Sequence, residues 1–533
     1  MLADLLHTRR FDVALAGLGG SLITLLFNAL CGQDMNWDLA NYHFVSAHLF
    51  WNADYGRHIA LSQLQTWINP VIYVPYYLAI GHLPPIVASC IFAIAAGMNA
   101  PVIFLLAEKI GWRLEFWPRR LVAFGSVAVG MTGAIFLGEA GTTFVDNVLS
   151  IPVLAALLIC IDALDPIAKQ NCRSFLAAGL LLGLASGLKL TFVIFAITAA
   201  IGLAVLIAIR RLGIVPFLCF ALAGALGYLL TGGWWAFWLW HEYGNPIFPL
   251  LNNVFHSPFA PEIPLNDTRF MAKRWFDFVA FPYHWMIGDL TPSPGAEITI
   301  RDPRYAILSI SSIAFIGSAL LRRRFSSEKL DAPASGDILL VIFFLASYSI
   351  WLVTFGILRY AVVLELLSGV LMIVAASELL ASRPTFLPAT ALVLAAITLV
   401  ATRPSHWDRV RFTADWFGVS GTEAISSAQT VYVLPGGEPV GYLLPFFPSD
   451  SVFVRVGGNM PFTPASGLGK RVDSVLHRQN VSLRSLGEFP MTEQEKVALR
   501  GFGLEVIDNS CRQIQTKFKL FQVGSCKVQF GNS

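Results

Sequence analysis

The chain has 533 residues, of which 55% are hydrophobic and only 13% are charged, and its mean hydropathy is +0.63. A soluble globular protein carries about 25% charged residues, so this composition excludes a string of soluble domains and indicates a polytopic membrane protein. The net charge of +3 is too small to indicate nucleic-acid binding, which also needs a basic surface that this sequence does not encode.

Apolar segments long enough to cross about 30 Å of hydrocarbon follow one another as far as Val400. The sequence predicts about eleven such spans in an α-helical membrane domain over residues 1–401. They are residues 12–31, 85–107, 121–138, 146–163, 175–188, 191–209, 214–232, 305–321, 338–356, 361–380 and 386–401.

The first of these segments follows Arg9 and Arg10, as a signal peptide would, but it is longer than the usual apolar core of a signal. We therefore predict that it is retained as a membrane span. Residues 69–81 are also apolar, yet they number only about 13, fewer than a crossing requires. They are rich in tyrosine, which is typical of segments at a membrane interface, and we predict a helix lying in the outer interface.

Two long loops, residues 32–84 and 233–304, are predicted on one side of the membrane. In the first loop, Asp38 opens a stretch whose apolar residues recur at helical spacing: Leu39, Tyr42, Val45, Leu49 and Phe50. This spacing predicts an amphipathic helix that rests on the membrane, with Asp38 at its N-terminus.

Residues 402–533 differ in composition, since they contain 14 of the 37 basic residues and short alternating apolar runs. They predict a small α/β domain, with a helix from Thr492 to Gly501 that Thr492 would cap. Cys511 and Cys526 are the only cysteines of this tail. In an oxidising compartment they would form a disulfide, and the alternative is two unpaired thiols.

The distribution of positive charge predicts the orientation. With the N-terminus inside, the inside loops hold 15 of the 23 basic residues that precede residue 402. These loops contain Arg9, Arg10, the stretch 109–120, Lys169, Arg173, Arg210, Arg211, Arg322, Arg323, Arg324, Lys329 and Arg383. The positive-inside rule then predicts a cytoplasmic N-terminus and, after an odd number of crossings, a tail on the outer side of the membrane.

Several ionisable residues lie at the outer ends of the predicted spans, where charges are costly and usually functional. They are Asp34, Asp38, Glu139, Asp146, Lys189 and Arg359. A carboxylate can deprotonate a hydroxyl acceptor as a general base, and Lys or Arg can bind a phosphate leaving group. This set is typical of an enzyme that moves a sugar from a lipid-phosphate carrier to a hydroxyl group.

Four short motifs resemble the GT-C superfamily of integral-membrane glycosyltransferases, which includes protein O-mannosyltransferases and lipid A aminoarabinose transferases. They are Asp38-Leu-Ala-Asn-Tyr42 followed by His43, Gly138-Glu139 through Asp146, Gly183 through Lys189, and Arg359-Tyr360. The loop Gly244–Pro258 resembles a bacterial branch of that superfamily. Leu39 stands where many members carry a second acid.

The resemblance covers residues 1–401 and implies a GT-C-like membrane domain in a bacterial inner membrane, with a hexosyl- or pentosyltransferase activity. The α/β tail predicted from composition would then be periplasmic. The donor would be a polyprenyl-phosphate sugar and the acceptor a glycan, a lipid or a protein. Asp38 would be the catalytic base. The substrate-binding residues would be Asp34, Tyr42, His43, Glu139, Asp146, Lys189, Arg359 and Tyr360.

Each of these residues also has a structural interpretation. Asp38 could cap its helix, and Asp34 could be the base in its place. Glu139 and Asp146 could cap the fourth span, and Lys189 could extend to the interface as terminal lysines do. No cofactor is predicted, because the spacing of His43, His48 and His58 does not support a metal, although a divalent ion is compatible with the reaction.

Two other classes of function are compatible with the composition. A transporter or lipid-linked-sugar flippase would place polar groups near the midplane and show repeated halves, and the sequence shows no internal repeat. An envelope scaffold would use the tail to bind a partner. A polymer transferase that uses a diphosphate carrier is the nearest enzymatic alternative.

Overall fold

The computed structural model describes residues 2–111, 114–165, 170–265, 267–325, 333–404, 406–427, 429–460, 462–507 and 509–531, with side chains from residue 9 except those of 322–325. Arg113, Lys169 and Lys329, used in the charge argument, lie outside the described residues. The structure is mostly helical, with short strands confined to the tail.

The helices are α1 (Leu2–Cys31), α2 (Phe44–Trp51), α3 (Val74–His82), α4 (Pro85–Gly97), α5 (Asn99–Ile110), α6 (Phe116–Met131), α7 (Ala134–Glu139), α8 (Asp146–Ala163), α9 (Cys172–Leu188), α10 (Val193–Ala208), α11 (Ile214–Tyr228), α12 (Trp234–Tyr243), α13 (Asn252–Phe255), α14 (Asp277–Ile287), α15 (Arg304–Phe325), α16 (Ser335–Thr354), α17 (Val362–Leu366), α18 (Ser368–Leu379), α19 (Leu387–Ala401), α20 (Gly467–Leu476) and α21 (Glu493–Arg500). The strands are β1 (Thr430–Leu434), β2 (Val452–Arg455), β3 (Ser482–Ser485), β4 (Gly487–Glu488), β5 (Leu504–Val506), β6 (Arg512–Ile514), β7 (Val523–Ser525) and β8 (Val528–Phe530).

Eight helical segments in the described part of the chain are long and apolar enough to cross a membrane. They are Arg9–Cys31, Pro85–Ile110, Asp146–Ala163, Leu190–Ala208, Ile214–Tyr243, Arg304–Leu321, Ser335–Thr354 and Pro384–Ala401. The bent pair α17–α18 makes nine if it counts as one crossing. The chain is a multi-pass membrane protein, but the predicted count of eleven is not confirmed.

If the bent pair counts as one crossing, the remaining difference arises at two predicted spans. Helix α9 has 17 residues, which is at the lower limit for a crossing. The segment predicted at 121–138 is divided at Thr132 and Gly133 into α6 and the six-residue helix α7. In the first loop, residues 74–82 form the nine-residue helix α3, which is too short to cross, and its position in the outer interface stays a prediction.

The structure divides into two compact units. The first consists of residues 1–32, 89–233 and 267–407. Its closest helix pair is α9 with α11, where glycines allow the backbones to approach as they do in many membrane helices. A Cβ atom added at Gly183 would lie 2.0 Å from the Gly224 carbonyl oxygen, and one at Gly179 would lie 2.1 Å from that of Phe220.

The second unit consists of residues 33–88, 234–266 and 408–533. Its central sheet is parallel, in the order β2-β1-β3. An antiparallel sheet β4-β7-β6 and the pair β5-β8 follow. The core of this unit combines Val433 and Val454 from the strands with Trp67 from the first loop and Trp235 from α12. The predicted division between residues 1–401 and 402–533 stays a prediction, since the tail shares its core with two earlier segments.

Two local features of the tail agree with its sequence. The predicted helix at 492–501 is confirmed as α21, which begins with a capping box formed by Thr492 and Glu495. A disulfide joins Cys511 and Cys526 in the structure.

Candidate functional site

Asp38 lies in the first turn of a helical stretch that begins at Trp37 and runs to Trp51, including a π-helical turn over Leu39–His43. The cap of this helix is Asn36, whose Oδ1 accepts the Leu39 N–H at 2.7 Å. The Asp38 side chain makes no capping hydrogen bond; it accepts instead from the Tyr42 hydroxyl at 3.4 Å. The structure therefore assigns the cap to Asn36, and the carboxylate of Asp38 is only partly buried.

Asp34 is fully buried and shapes the turn before this helix. Its Oδ1 accepts the backbone N–H of Asn36 at 3.0 Å and the Asn36 side-chain amide at 2.7 Å. These contacts orient Asn36 and so help to start the helix that carries Asp38.

The predicted residues Tyr42 and His43 are buried beside Tyr73. The rings of His43 and Tyr73 stack with their centroids 4.3 Å apart, and Tyr42 meets Tyr73 edge to face at 5.6 Å. Sequence reasoning did not select Tyr73, although the tyrosine-rich segment 69–81 was noted. The three buried rings pack against one another beside the turn that carries Asp38.

The other two histidines of the first loop have separate partners. His48 Nδ1 lies 3.0 Å from the Tyr77 hydroxyl, and His58 Nε2 lies 3.1 Å from Asp54. Burial lowers the pKa of His58 to about 4. Within the described ranges, no three His, Cys, Asp or Glu side chains are grouped as they would be around a metal ion.

A second cluster lies in the other unit, at the ends of α8 and α9. Lys189 follows α9, and its Nζ lies 2.8 and 2.6 Å from the two carboxylate oxygens of Asp146, the first residue of α8. Both side chains are buried, with 8% and 0% of their surface exposed. Lys189 therefore does not extend toward the surface, as an ordinary terminal lysine would.

Arg359 and Tyr360 lie beside this ion pair. The Tyr360 ring is 4.9 Å from Lys189 Nζ and 5.2 Å from the Arg359 guanidinium carbon. Arg359 is also buried, 4.3 Å from the Phe144 ring and 3.8 Å from the half-exposed carboxylate of Glu297. The Tyr360 ring is thus close to two buried cations.

Glu139 is the last residue of α7 and is 1% exposed. Neither of its carboxylate oxygens makes a hydrogen bond to the described part of the chain. Its carboxylate lies within electrostatic range of Asp146, Arg359 and Lys189. The structure therefore brings Glu139, Asp146, Lys189, Arg359 and Tyr360 into one cluster, and Asp34, Asp38, Tyr42 and His43 into another.

No protein-family profile and no curated protein matches the sequence of this chain. Among the solved structures that match this chain, two cover nearly its whole length. One is ArnT from Cupriavidus metallidurans bound to undecaprenyl phosphate, which is 11% identical and covers 96% of this chain and 97% of its own at a TM-score of 0.51. The other is ArnT from the same organism in the apo state, which is 13% identical and covers 99% and 98% at a TM-score of 0.50.

The chain has the fold of these ArnT structures, which is the GT-C-like fold that its motifs predict. The predicted resemblance is thereby confirmed at the level of the fold.

Within this GT-C-like fold, sequence reasoning missed a buried charge cluster at the start of α7. Glu365 Oε1 accepts the Phe136 N–H at 3.0 Å, and Asp302 Oδ2 accepts the Ala134 N–H at 2.9 Å. Arg304 donates to Asp302 at 2.8 Å, and all three charged side chains are fully buried. The signal in the sequence is the motif Arg301-Asp-Pro-Arg304, which ends the predicted loop 233–304 directly before an apolar run.

The loop Gly244–Pro258 of the GT-C-like fold is stabilised by its own asparagines. Asn252 Nδ2 donates to the carbonyl oxygens of Ser257 at 3.0 Å and Ala260 at 2.8 Å. Asn245 Nδ2 donates to the Leu250 carbonyl oxygen at 2.9 Å. Both asparagines are fully buried, so these contacts explain the motif as a turn-forming element.

Proposed function

We propose that this protein is a membrane glycosyltransferase that moves a sugar from a polyprenyl-phosphate carrier to a hydroxyl group of a periplasmic glycan, lipid or protein. The observation that carries the proposal is the pair of buried cations, Lys189 and Arg359, both close to the Tyr360 ring at the ends of apolar helices. Buried cations at such positions are costly and are retained for a task. Binding a lipid-linked phosphate is a task that suits them.

The undecaprenyl phosphate in one ArnT structure supports this choice of carrier. In our proposal, Lys189 and Arg359 bind the carrier phosphate and stabilise the negative charge that grows on it as the glycosidic bond breaks. Asp146 orients Lys189 through the two contacts of 2.6 and 2.8 Å. Glu139, whose carboxylate has no hydrogen-bond partner in the described residues, orients the substrate.

Asp38 is the proposed general base. The acceptor hydroxyl gives its proton to the Asp38 carboxylate while its oxygen forms a bond to the anomeric carbon of the sugar. The bond from that carbon to the phosphate oxygen breaks, and the phosphate leaves with the electron pair. Tyr42, which donates to Asp38 at 3.4 Å, would orient the carboxylate, while His43 and Tyr360 would contact the substrate. Asp34 supports the turn.

The proposed location is the bacterial inner membrane, with a cytoplasmic N-terminus and the sheets of the second unit in the periplasm. The excess of positive charge in the predicted inside loops supports this orientation. The disulfide between Cys511 and Cys526 also supports a periplasmic tail, because disulfides persist in oxidising compartments.

The proposal is tested in cells that lack the protein. We expect one sugar to be missing from an envelope glycan, lipid or protein and its polyprenyl-phosphate form to accumulate. Asp38→Asn should fail to restore the sugar, because loss of a general base costs about 10²- to 10⁴-fold in rate. Asp289→Asn, which alters an exposed carboxylate of another loop, serves as the matched control and should restore it fully.

Full restoration by Asp38→Asn would remove Asp38 from the role of base. Accumulation of the carrier on the cytoplasmic leaflet would instead favour a flippase, and an accumulated diphosphate carrier would favour a polymer transferase.

A further inference from the structure

The carboxyl ends of β1 and β2 both run into pairs of glycines, Gly436-Gly437 and Gly457-Gly458. In a parallel sheet of order β2-β1-β3, the second and third strands lie on opposite sides of the first, and ligands commonly bind at the carboxyl ends of the strands at such a point. Here Leu61 and Gln63 of the first loop contact the carboxyl ends of β2 and β1. Ile59 forms a parallel bridge with Val454, so the loop adds to the sheet.

Arg455 at the end of β2 binds this loop segment. It is 1% exposed, and its Nε and Nη2 donate to the Leu61 carbonyl oxygen at 3.1 and 3.0 Å. Its Nη1 donates to the carbonyl oxygen of Gly436. One buried guanidinium thus joins the first loop to the turn after β1.

Gln63 makes the reciprocal contacts from the loop. Its Nε2 donates to the Gly437 carbonyl oxygen at 2.9 Å, and its Oε1 accepts the Asn459 N–H at 2.7 Å. The backbone of Gln63 has φ +58°, a left-handed conformation that is costly for a residue other than glycine and that persists only where the surroundings impose it. A Cβ atom on Gly458 would lie 2.5 Å from Gln63 Oε1, so that glycine leaves room for the amide.

The same contacts reach the helix that carries Asp38. Asn41, three residues after Asp38, is fully buried and donates from Nδ2 to the Ser62 carbonyl oxygen at 3.3 Å. A Cβ atom on Gly441 of the tail would lie 2.4 Å from the Asn41 carbonyl oxygen. The tail therefore contacts this helix directly and through the first loop.

A second set of tail contacts holds the start of the helix. Trp416 Nε1 donates to the Asp34 carbonyl oxygen at 3.1 Å, and its own carbonyl oxygen accepts from Gln33 Nε2 at 2.7 Å. The rings of Phe417 and Phe44 lie 4.8 Å apart. Residues 408–533 thus contact the turn before the Asp38 helix, one face of the helix and the loop that follows it.

We infer that residues 408–533 position the Asp38 helix, with Arg455 and Gln63 as the positioning residues that join the tail to the first loop. This role rests on the proposed function of Asp38. It gives the tail a task in catalysis that requires no separate ligand: it holds the general base at a fixed place relative to the acceptor. A misplacement of about 1 Å can cost about 10²-fold in rate.

The test uses the full chain in detergent, with Gln63→Asn and Arg455→Lys. Asparagine tolerates the left-handed backbone, but its shorter amide cannot reach both Gly437 and Asn459. Lysine keeps the charge of Arg455 and loses the planar fork. Gln522→Asn, at an exposed amide of the tail whose partner is Gln513, is the matched control.

Three quantities are measured: hydrogen exchange of the amides of residues 37–51, affinity for undecaprenyl phosphate, and transfer of label from polyprenyl-phosphate sugars extracted from cells lacking the protein. We expect exchange to accelerate about fivefold or more, as the loss of one hydrogen bond implies. Turnover should fall about 10- to 100-fold. Affinity for undecaprenyl phosphate should change less than about twofold, because Lys189 and Arg359 are untouched.

Unchanged exchange over residues 37–51 in both variants would overturn the inference, and so would faster exchange with full turnover. If the variants only destabilised the second unit, exchange would accelerate throughout β1, β2 and β3 and the affinity for undecaprenyl phosphate would also fall. That result would overturn the inference as well. Full turnover in Asp38→Asn would instead refute the role of Asp38 as the base. The two failures can be told apart, because the exchange measured in Gln63→Asn and Arg455→Lys does not depend on the turnover of Asp38→Asn.

Discussion

At the scale of single residues, the two clusters differ in how their charges are stabilised. Asp38 is partly exposed. It does not cap its helix, because Asn36 accepts the Leu39 N–H instead. Asp146 and Lys189 are buried and depend on each other. A buried ion pair contributes little net stability, yet removing one partner is strongly destabilising because the other charge stays buried.

Lys189→Gln should lower the free energy of unfolding by about 3–5 kcal/mol, because Asp146 loses its partner. It should also weaken undecaprenyl phosphate binding about 10- to 100-fold, as the loss of a hydrogen bond to a charged group implies. Thermal unfolding and carrier binding in detergent measure the two effects. The double variant Asp146→Asn with Lys189→Gln should recover stability but not affinity, and recovery of both would contradict the phosphate role.

His58 predicts a pH dependence of stability. Burial lowers its pKa to about 4 in the folded protein, against about 6.5 when unfolded. The unfolded chain therefore binds the extra proton between these values. The contribution of His58 to the free energy of unfolding is therefore full above pH 6.5 and is lost as the pH falls toward 4. His58→Gln should flatten this part of the profile of unfolding temperature against pH, and an unchanged slope would show that another group is responsible.

At the scale of elements, glycine spacing explains how Lys189 is placed. Gly179, Gly183 and Gly187 face α11 along one side of α9, and Lys189 follows directly. The motif Gly183 through Lys189 therefore combines a packing residue with a charged one. Because the two backbones are in contact, a shift of α9 would move the lysine.

Gly183→Ala should destabilise the protein by about 1–3 kcal/mol, since its Cβ would lie 2.0 Å from a backbone oxygen of α11 and the helices would have to separate. Gly317→Ala is the control, because a Cβ at Gly317 meets nothing within 4 Å. It should be neutral or stabilise α15 by up to about 1 kcal/mol. Equal unfolding temperatures for the two variants would refute the packing argument.

At the scale of the whole molecule, the second unit is assembled from three segments that are distant in sequence. Trp67, Trp235 and Val454 belong to one buried cluster, although they come from the first loop, α12 and the tail. Trp67 and Trp235 cover apolar side chains of the tail's sheet. In the isolated tail those side chains would be in contact with water.

Residues 402–533 expressed alone should therefore not reach the native state, even with the disulfide formed. We expect few protected amides in β1 and β2 by hydrogen exchange, in contrast to the full chain in detergent. Native-like protection in the isolated tail would show that it is an autonomous domain, as the composition alone predicts.

The sequence by itself determined the class of protein and several local elements. Hydropathy and charge along the chain indicate which segments are buried in the membrane, and they predict the membrane helices. The change of composition near residue 402 predicts the α/β tail with its capped helix α21. The motifs around Asp38, Glu139, Lys189 and Arg359 also predicted the GT-C-like fold, because short patterns carry family resemblance without requiring knowledge of contacts.

Only the tertiary structure decided which charges meet. The partner of Lys189 is Asp146, 43 residues away, and the carboxylates at the start of α7 come from Asp302 and Glu365, far along the chain. The sequence also did not predict that the span at 121–138 is divided at Thr132, or that the first loop and the tail share one core. Local periodicity records how strongly a residue prefers burial, whereas the identity of its neighbour depends on how helices and loops from distant parts of the sequence pack together.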